Sequence, residues 1–551
     1  MPDPQIAFDE LTAFLGTQEP LGLLTELALT FFFVPEGEFH DESSDCYRWQ
    51  RNIEFLAGYY CARPYPDAPP QAQHNGARIH HATTLLENFF NAVEVQLLTQ
   101  GLKVKNGSGD LLAQMKSYAT HVRGMMYPHQ YRAYAHALYA PHDAWFTKHL
   151  GFTIDDALKM AKAITDEYAK RNWDSKESSR QVAQNQADTF IKEGQACETD
   201  RYNIETNIGC KLHFGNATNL FAFTEEQLAT FSDVPNEVAA GFLQRMSQEF
   251  GYRNSLFPDT FTTATSAPSD YNTLRERPII SHGGKYWLIV PPVMGSVLLS
   301  TFYFDLLNDR QYRPLFDKER ATFLEAETAT YLRRSFPANS VLLNPFYPNN
   351  EEMTDVLVLH DTKVIIVQCK SKLLTHSANV GESFEQLSND IDEGIKKAFD
   401  QGKKARDYLN ATTMPEVIIN GKLTSIDMRY VNEIHILSIT FSSYQDLTVR
   451  FANHPALLRL TGSESLWSLS LDSLDILTQF LCSPARFLHY LQLRLEIEKT
   501  PFDVLADEMD VLGYYVARGN MLSRTDLGHI DKMSFGAREK LPGYAHEKLT
   551  T

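Results

Sequence analysis

Two β-branched runs facing each other across a two-residue polar turn constrain this chain more than any other feature. Thr354-Asp355-Val356-Leu357-Val358-Leu359-His360 and Val364-Ile365-Ile366-Val367-Gln368-Cys369-Lys370 flank Asp361-Thr362-Lys363 and read as a β-hairpin. With the turn centred on Asp361-Thr362, His360 faces Lys363 and, further out, Asp355 faces Gln368. Directly opposed residues share a face, with Cβ atoms about 4.5–5.5 Å apart. Lys370, two residues beyond Gln368, joins that face while Cys369 points to the other. An acid, an amide and a lysine therefore converge beside strands that are otherwise Val, Leu and Ile. Burying such a group for stability alone is costly. The register depends on the turn, since a one-residue change in its length would exchange the two faces.

The chemistry of this trio fits metal-dependent phosphodiester cleavage. The Asp355 carboxylate and the side-chain oxygen of Gln368 suit a hard cation such as Mg²⁺ or Mn²⁺. Such an ion acidifies water and polarises a phosphoryl oxygen. Lys370 supplies a fixed positive charge near the attacking water and the developing phosphorane.

The order of elements around the hairpin is informative. A helix over about 318–335 precedes β-rich runs at 341–347, 354–360 and 364–372, and a long helix (391–409) and a strand (434–443) follow. This αβββαβ order implies a mixed α/β core with helices on both faces. Residues 1 to about 275 read mostly as helices, which makes the whole chain α+β. Thr153-Ile154-Asp155-Asp156 opens a periodic run to Arg171, and Thr224-Glu225-Glu226-Gln227 is a capping box. Polar breaks lie at 64–76, 172–181 and 254–271. A hairpin with His282-Gly283-Gly284-Lys285 at its turn marks the expected boundary. The expected division is a helical region over 1–275, an α/β domain over 276–500 with its core at about 318–443 and C-terminal helices, and a polar tail over 501–551.

Composition narrows the function classes. The 551 residues call for two or three domains, and 43% hydrophobic with 12% aromatic residues exclude a disordered chain. Lys and Arg total 51 against 69 acids, a net −18, which excludes a generally basic nucleic-acid coat while leaving room for a local basic site. Six cysteines without a C-x-x-C pair give neither a zinc module nor a disulfide framework, and a reducing cytoplasm is the expected compartment. The uncharged run over 286–304 is cut by Pro291-Pro292 and Gly295, so it reads as a buried strand entering a core helix, and no membrane partner is expected. His121, His129, His136, His142 and His149, and the pair His80-His81, lack the spacing of a metal cluster, and no G-x-S-x-G elbow is present.

The segment over 318–443, about a quarter of the chain, resembles the PD-(D/E)xK nuclease superfamily of restriction-endonuclease-like fold, in its Mrr-type and NERD-like branches. The resemblance rests on Thr354-Asp355, on Val367-Gln368-Cys369-Lys370-Ser371-Lys372 and on the element order. It implies a Mg²⁺- or Mn²⁺-dependent nuclease with Asp355, Gln368 and Lys370 at the metal site. Gln368 stands where glutamate is commoner; Mrr-type members also carry glutamine there, with one anionic ligand fewer. The family also uses a glutamate from the preceding helix. Glu325 and Glu327 flank an apolar stripe of Leu324, Thr328, Tyr331, Leu332 and Ser335. Glu325, one turn from Ala321 and Ala329, is preferred as the catalytic and metal-binding carboxylate, whereas Glu327 has Arg320 and Arg334 for ion pairs. Glu352, three residues before Asp355, is either a further outer carboxylate or, as preferred, a loop acid. The long helix sets Lys396, Lys397, Lys403, Lys404 and Arg406 against Asp400 and Asp407, either as an ordinary charged face or as one that tracks phosphates. The resemblance favours the second, with Lys372 as a further contact and Gln401 as an accessory polar group. The expected function is a cytoplasmic (endo)nuclease, with endo or exo action left open, acting on DNA in preference to RNA; the resemblance suggests a role in antiviral defence against foreign nucleic acid. Partner proteins or a second copy would engage the helical region. The rival is a catalytically weakened nuclease-fold scaffold that binds nucleic acid or protein: Gln368 and the −18 balance favour it, while Asp355 and Lys370 weigh against it.

Overall fold

A computed structural model describes residues 3–32, 43–67, 76–103, 108–121, 126–252, 272–375, 378, 383–441, 443–444, 447–448, 458, 467–497 and 507–518. The chain mixes α and β structure and forms two compact units: Met1–Leu97, Thr120–Gly124 and Tyr131–Asp305 in the first; Leu98–Ala119, Met125–Gln130 and Leu306–Thr551 in the second. The boundary expected at 275 therefore falls inside the first unit. The reason is the glycine hairpin, whose strands do not open a new domain but complete a sheet begun earlier in the chain.

That sheet comprises β1 (Ala222–Phe223), β2 (Ser247–Glu249), β3 (Ile279–His282) and β4 (Lys285–Leu288) in the order β1-β4-β3-β2. Gly283 and Gly284 take φ of 55° and 74°, as a two-residue turn between twisted strands demands. The apolar run leads into the helix Val293–Asn308, where Gly295 lets the Tyr131 ring approach (a Cβ there would lie 3.1 Å from the Tyr131 Cβ) and the Tyr139 hydroxyl donates to Leu299 O. No helix among the described residues is long and apolar enough to cross a membrane. Both expected caps are present: Thr153 with Asp156, and Thr224 with Gln227. The helix Ile154–Lys192 runs through the break expected at 172–181, because that stretch contains neither glycine nor proline and its polar side chains merely form a solvated face. The other two breaks fall largely outside the described residues.

The second unit is built on β5 (Val341–Leu343), β6 (Val356–His360), β7 (Lys363–Lys370), β10 (Glu433–Thr440) and β11 (Trp467–Ser470), in the order β11-β10-β7-β6-β5. Strands β5, β6 and β7 are antiparallel, and β7, β10 and β11 run parallel. A separate hairpin, β8 (Glu416–Ile419) and β9 (Lys422–Ser425), turns at Asn420-Gly421 with φ of 51° and 74°. His360 pairs with Lys363 and Val356 with Val367, the register expected for a turn at Asp361-Thr362, and Asp361 takes φ 48°. The helix Arg313–Ser335 buries all five residues of the expected stripe, and its Thr328 hydroxyl contacts Cys369 Sγ. On the opposite face, Leu357, Val364 and Ile366 pack with Ala405 and Leu409 of the helix Lys397–Asn410. That helix continues Phe384–Ile391 through a π turn at Asp392–Lys396.

Helices Leu471–Phe480 and Pro484–Ile497 follow, and then Glu508–Ala517, inside the segment expected to be a polar tail. Asp507 caps this last helix, and Val511, Leu512 and Tyr515 are buried in it. Glu508 pairs with the fully buried Arg494 at 3.0 Å. An acid at the start of a capped helix had disguised a core element as a surface one. Residues 519–551 of the expected tail lie outside the described residues.

Candidate metal centre

Asp355 lies one residue before β6, and three main-chain bonds fix it there. Thr354 Oγ1 donates to Val367 O (2.7 Å), Asn344 N–H donates to Asp355 O (2.8 Å), and Cys369 N–H donates to Asp355 Oδ2 (2.5 Å). Gln368 is 4% exposed, and its Nε2 donates to Met353 O at 3.3 Å. Its Oε1 accepts no hydrogen bond among the described residues. On β10, Ser438 lies beside Gln368 and Thr440 beside Lys370.

The helix Arg313–Ser335 contributes Glu325, whose Oε2 accepts from Asn344 Nδ2 at 3.1 Å. Asn344 holds a left-handed backbone, φ 47°, at the end of β5 and thereby binds both the Asp355 main chain and the Glu325 side chain. The loop from Asn344 to Asp355 folds back on itself: Phe346 bridges Glu352, Met353 N–H donates to Pro345 O (3.0 Å), and Asn350 takes φ 64°. This fold-back brings Glu352 into the group. Ligand oxygens of Glu325, Glu352 and Asp355 all lie within 4.8 Å of one another.

Burial pushes Asp355 up to about 7; the Cys369 N–H opposes this, the Glu325 and Glu352 charges add to it, and Lys370 opposes it. Glu325 is also raised, first by burial and then by Glu352, against the Asn344 hydrogen bond and Lys370. Three carboxylates thus crowd a partly buried space with one lysine to offset them. An all-oxygen donor set of this charge suits a hard divalent cation. Lys370 Nζ donates to Gln401 Oε1 at 2.7 Å. The helix carrying Gln401 lies close to β10, since a Cβ on Gly402 would come within 2.5 Å of Ile436 Cγ2.

The structure thus brings together Asp355, Glu325, Lys370 and Gln401, with Gln368 next to them on β7. Glu327 forms neither a hydrogen bond nor an ion pair among the described residues; Arg320 pairs with Asp317 and Arg334 with Asp475 instead. Two residues that sequence reasoning set aside or missed are Glu352, read as a loop acid, and Asn344. The Asn349-Asn350 pair, suited to left-handed turns, was the available signal for the fold-back.

The basic helix face is not free. Lys396 pairs with Asp392 (3.2 Å), Lys397 with Glu393 (2.5 Å), Lys403 with Asp400 (2.8 Å), Lys404 with Glu351 (3.4 Å) and Arg406 with Asp407 (3.6 Å). Lys372 pairs with the fully buried Asp390 at 2.9 Å. Counting only Asp400 and Asp407 omitted the acids one turn earlier on the same helix, where i,i+4 pairing is favoured. Among the described residues no histidine joins a group of three or more side chains able to hold a metal; His136 faces Asp155, His149 lies against Trp145 and His142 is buried. Comparison with known protein families, with curated proteins and with solved structures finds no match to this chain.

Proposed function

We propose that the second unit is a divalent-metal-dependent nuclease of restriction-endonuclease-like fold, hydrolysing phosphodiester bonds of DNA. The observation that most supports this reading is the meeting of Glu325, Glu352 and Asp355 oxygens within 4.8 Å, with the Lys370 charge acting on Asp355 and Glu325. The helix, three strands, helix and strand that carry these residues are in keeping with it. When bound, Mg²⁺ or Mn²⁺ supplies Lewis acidity toward a phosphoryl oxygen and lowers the pKa of water.

The chain's own residues supply the rest. Asp355, Glu325 and Glu352 offer the anionic ligands, and Glu352 makes up for the charge absent at Gln368. Gln368 Oε1, which has no hydrogen-bond donor of its own, is a neutral ligand. Gln401 Oε1 holds the Lys370 ammonium in place, where its charge stabilises negative charge developing on the phosphoryl group.

Plasmid, linear and single-stranded DNA incubated with the purified chain should be cut with Mg²⁺ or Mn²⁺ and not with EDTA. Asp355→Ala and Lys370→Ala should each lower the rate by roughly 10²-fold or more. Metal-dependent cleavage that survives both substitutions would sink the assignment. The pairing of every basic side chain on the 397–410 helix and its π turn favours a second reading, a nuclease-fold scaffold with a weakened site. Absence of cleavage on all three substrates would select it.

A further inference from the structure

The first unit contains an open cavity of about 430 Å³, a size in the range of small-ligand sites. It is lined by Arg171 of the long helix, Asn216 and Asn219, Phe223 of β1, Gln227 of the capped helix and Lys285 of β4. The hydrogen bonds inside its wall engage several acceptors and leave donor nitrogens without a partner among the described residues. Gln227 Oε1 accepts the Thr224 N–H at 2.9 Å, so its Nε2 is the end left over. Asn216 Oδ1 accepts from Asn219 Nδ2 at 3.1 Å, so Asn216 likewise retains its amino group. Arg171 donates Nε to Glu167 (2.8 Å) and Nη1 to Ala222 O (2.6 Å), and its Nη2 has no bond among the described residues. Glu167 offsets the Arg171 charge. Lys285 has no ion pair or hydrogen bond among the described residues and supplies a second positive charge. Glu226, at the start of the capped helix, is turned onto Thr224 Oγ1 at 2.8 Å.

We propose that this cavity binds the phosphoryl group of a small soluble molecule, up to about the size of a mononucleotide. Two cationic side chains and the amide nitrogens of Gln227 and Asn216, whose oxygens are engaged, favour an oxyanion over a cation; of the three lining amides only Asn219 keeps its oxygen. The cavity shares no residue with the carboxylate cluster, so this inference stands or falls apart from the nuclease reading.

Isothermal titration in metal-free buffer of fixed ionic strength tests it, with inorganic phosphate, pyrophosphate, a nucleoside 5′-monophosphate and the matching nucleoside as probes. Inorganic phosphate, pyrophosphate and the nucleotide should bind, and the nucleoside should not. Lys285→Glu should weaken binding about tenfold or more, Lys285→Arg should retain it, and Lys148→Glu, an exposed charge reversal outside the cavity, should leave it unchanged. Lack of binding by every phosphate-bearing probe would overturn the proposal. So would equal affinity for the nucleoside, or undiminished affinity in Lys285→Glu.

Discussion

Asp355 and Asp472 are both buried carboxylates of the second unit, and burial pushes each up to about 7. Asp355 sits among other ligand oxygens, where a cation would restore the charged form. Asp472 joins no such group among the described residues: burial raises it, a Ser470 bond and its own N–H oppose this, Asp475 and Asp507 add to it, and its Oδ1 has no hydrogen-bond partner among those residues. A carboxyl raised in the folded state keeps its proton there, so its contribution to stability is full below the ordinary carboxylate range and is lost as pH rises through about 7. Asp472→Asn should remove this dependence. Urea unfolding at about pH 5 and about pH 8 should show the parent chain losing on the order of 1–4 kcal/mol more than the variant. Equal pH slopes would mean Asp472 is not held in this way. At the same scale, the register that pairs His360 with Lys363 and Val356 with Val367 was legible, because a two-residue turn leaves one register. Glu352 was legible only as the less favoured of two readings, since its place depends on the Phe346–Glu352 bridge and the Asn350 backbone, which no alternation of side chains announces.

The helical run from Phe384 to Asn410 packs closely at two glycines, Gly402 against Ile436 of β10 and Gly394 against Tyr444 beyond that strand. A Cβ on Gly394 would lie 2.1 Å from the Tyr444 hydroxyl oxygen, and that hydroxyl donates to Asp390 O at 2.9 Å. Gly394→Ala should therefore destabilise the chain by roughly 1–3 kcal/mol in spite of alanine's better helix propensity. Adding Tyr444→Phe, which removes the colliding oxygen, should recover about 1 kcal/mol of that in thermal or urea unfolding. Strict additivity of the two substitutions would contradict the close approach. The π turn contains Gly394, and seven residues beyond that glycine Gln401 accepts from Lys370 Nζ. The long helix itself was legible from its periodicity, whereas the π turn and the start at Phe384 were not, because apolar spacing does not separate a π turn from an α turn. The β8–β9 hairpin carried its own sign in Asn420-Gly421. The parallel strand β11 carried none, being a short run (Trp467–Ser470) paired only with β10.

Charge at the scale of the whole molecule follows from the ion pairs as much as from the net −18. With Lys372, Lys396, Lys397, Lys403, Lys404 and Arg406 each held by an acid, contact with phosphates must first break a pair. Duplex binding should accordingly depend weakly on salt, with a log–log slope no steeper than about −2; engagement of all five basics of the helix would give about −4.5. Fluorescence anisotropy over a salt series distinguishes the two. Composition foretold a chain with more than one compact unit, but the division at 305 was hidden because the glycine hairpin belongs to a sheet whose other strands lie far upstream. On the proposed reading Glu325, Glu352 and Asp355 form one oxygen cluster for a divalent cation. Calorimetric titration of the metal-free chain with Mn²⁺ puts this to the test. The expected result is binding that weakens about tenfold or more in both Asp355→Ala and Glu352→Ala. Absence of Mn²⁺ binding, or an affinity unchanged in both variants, would contradict it.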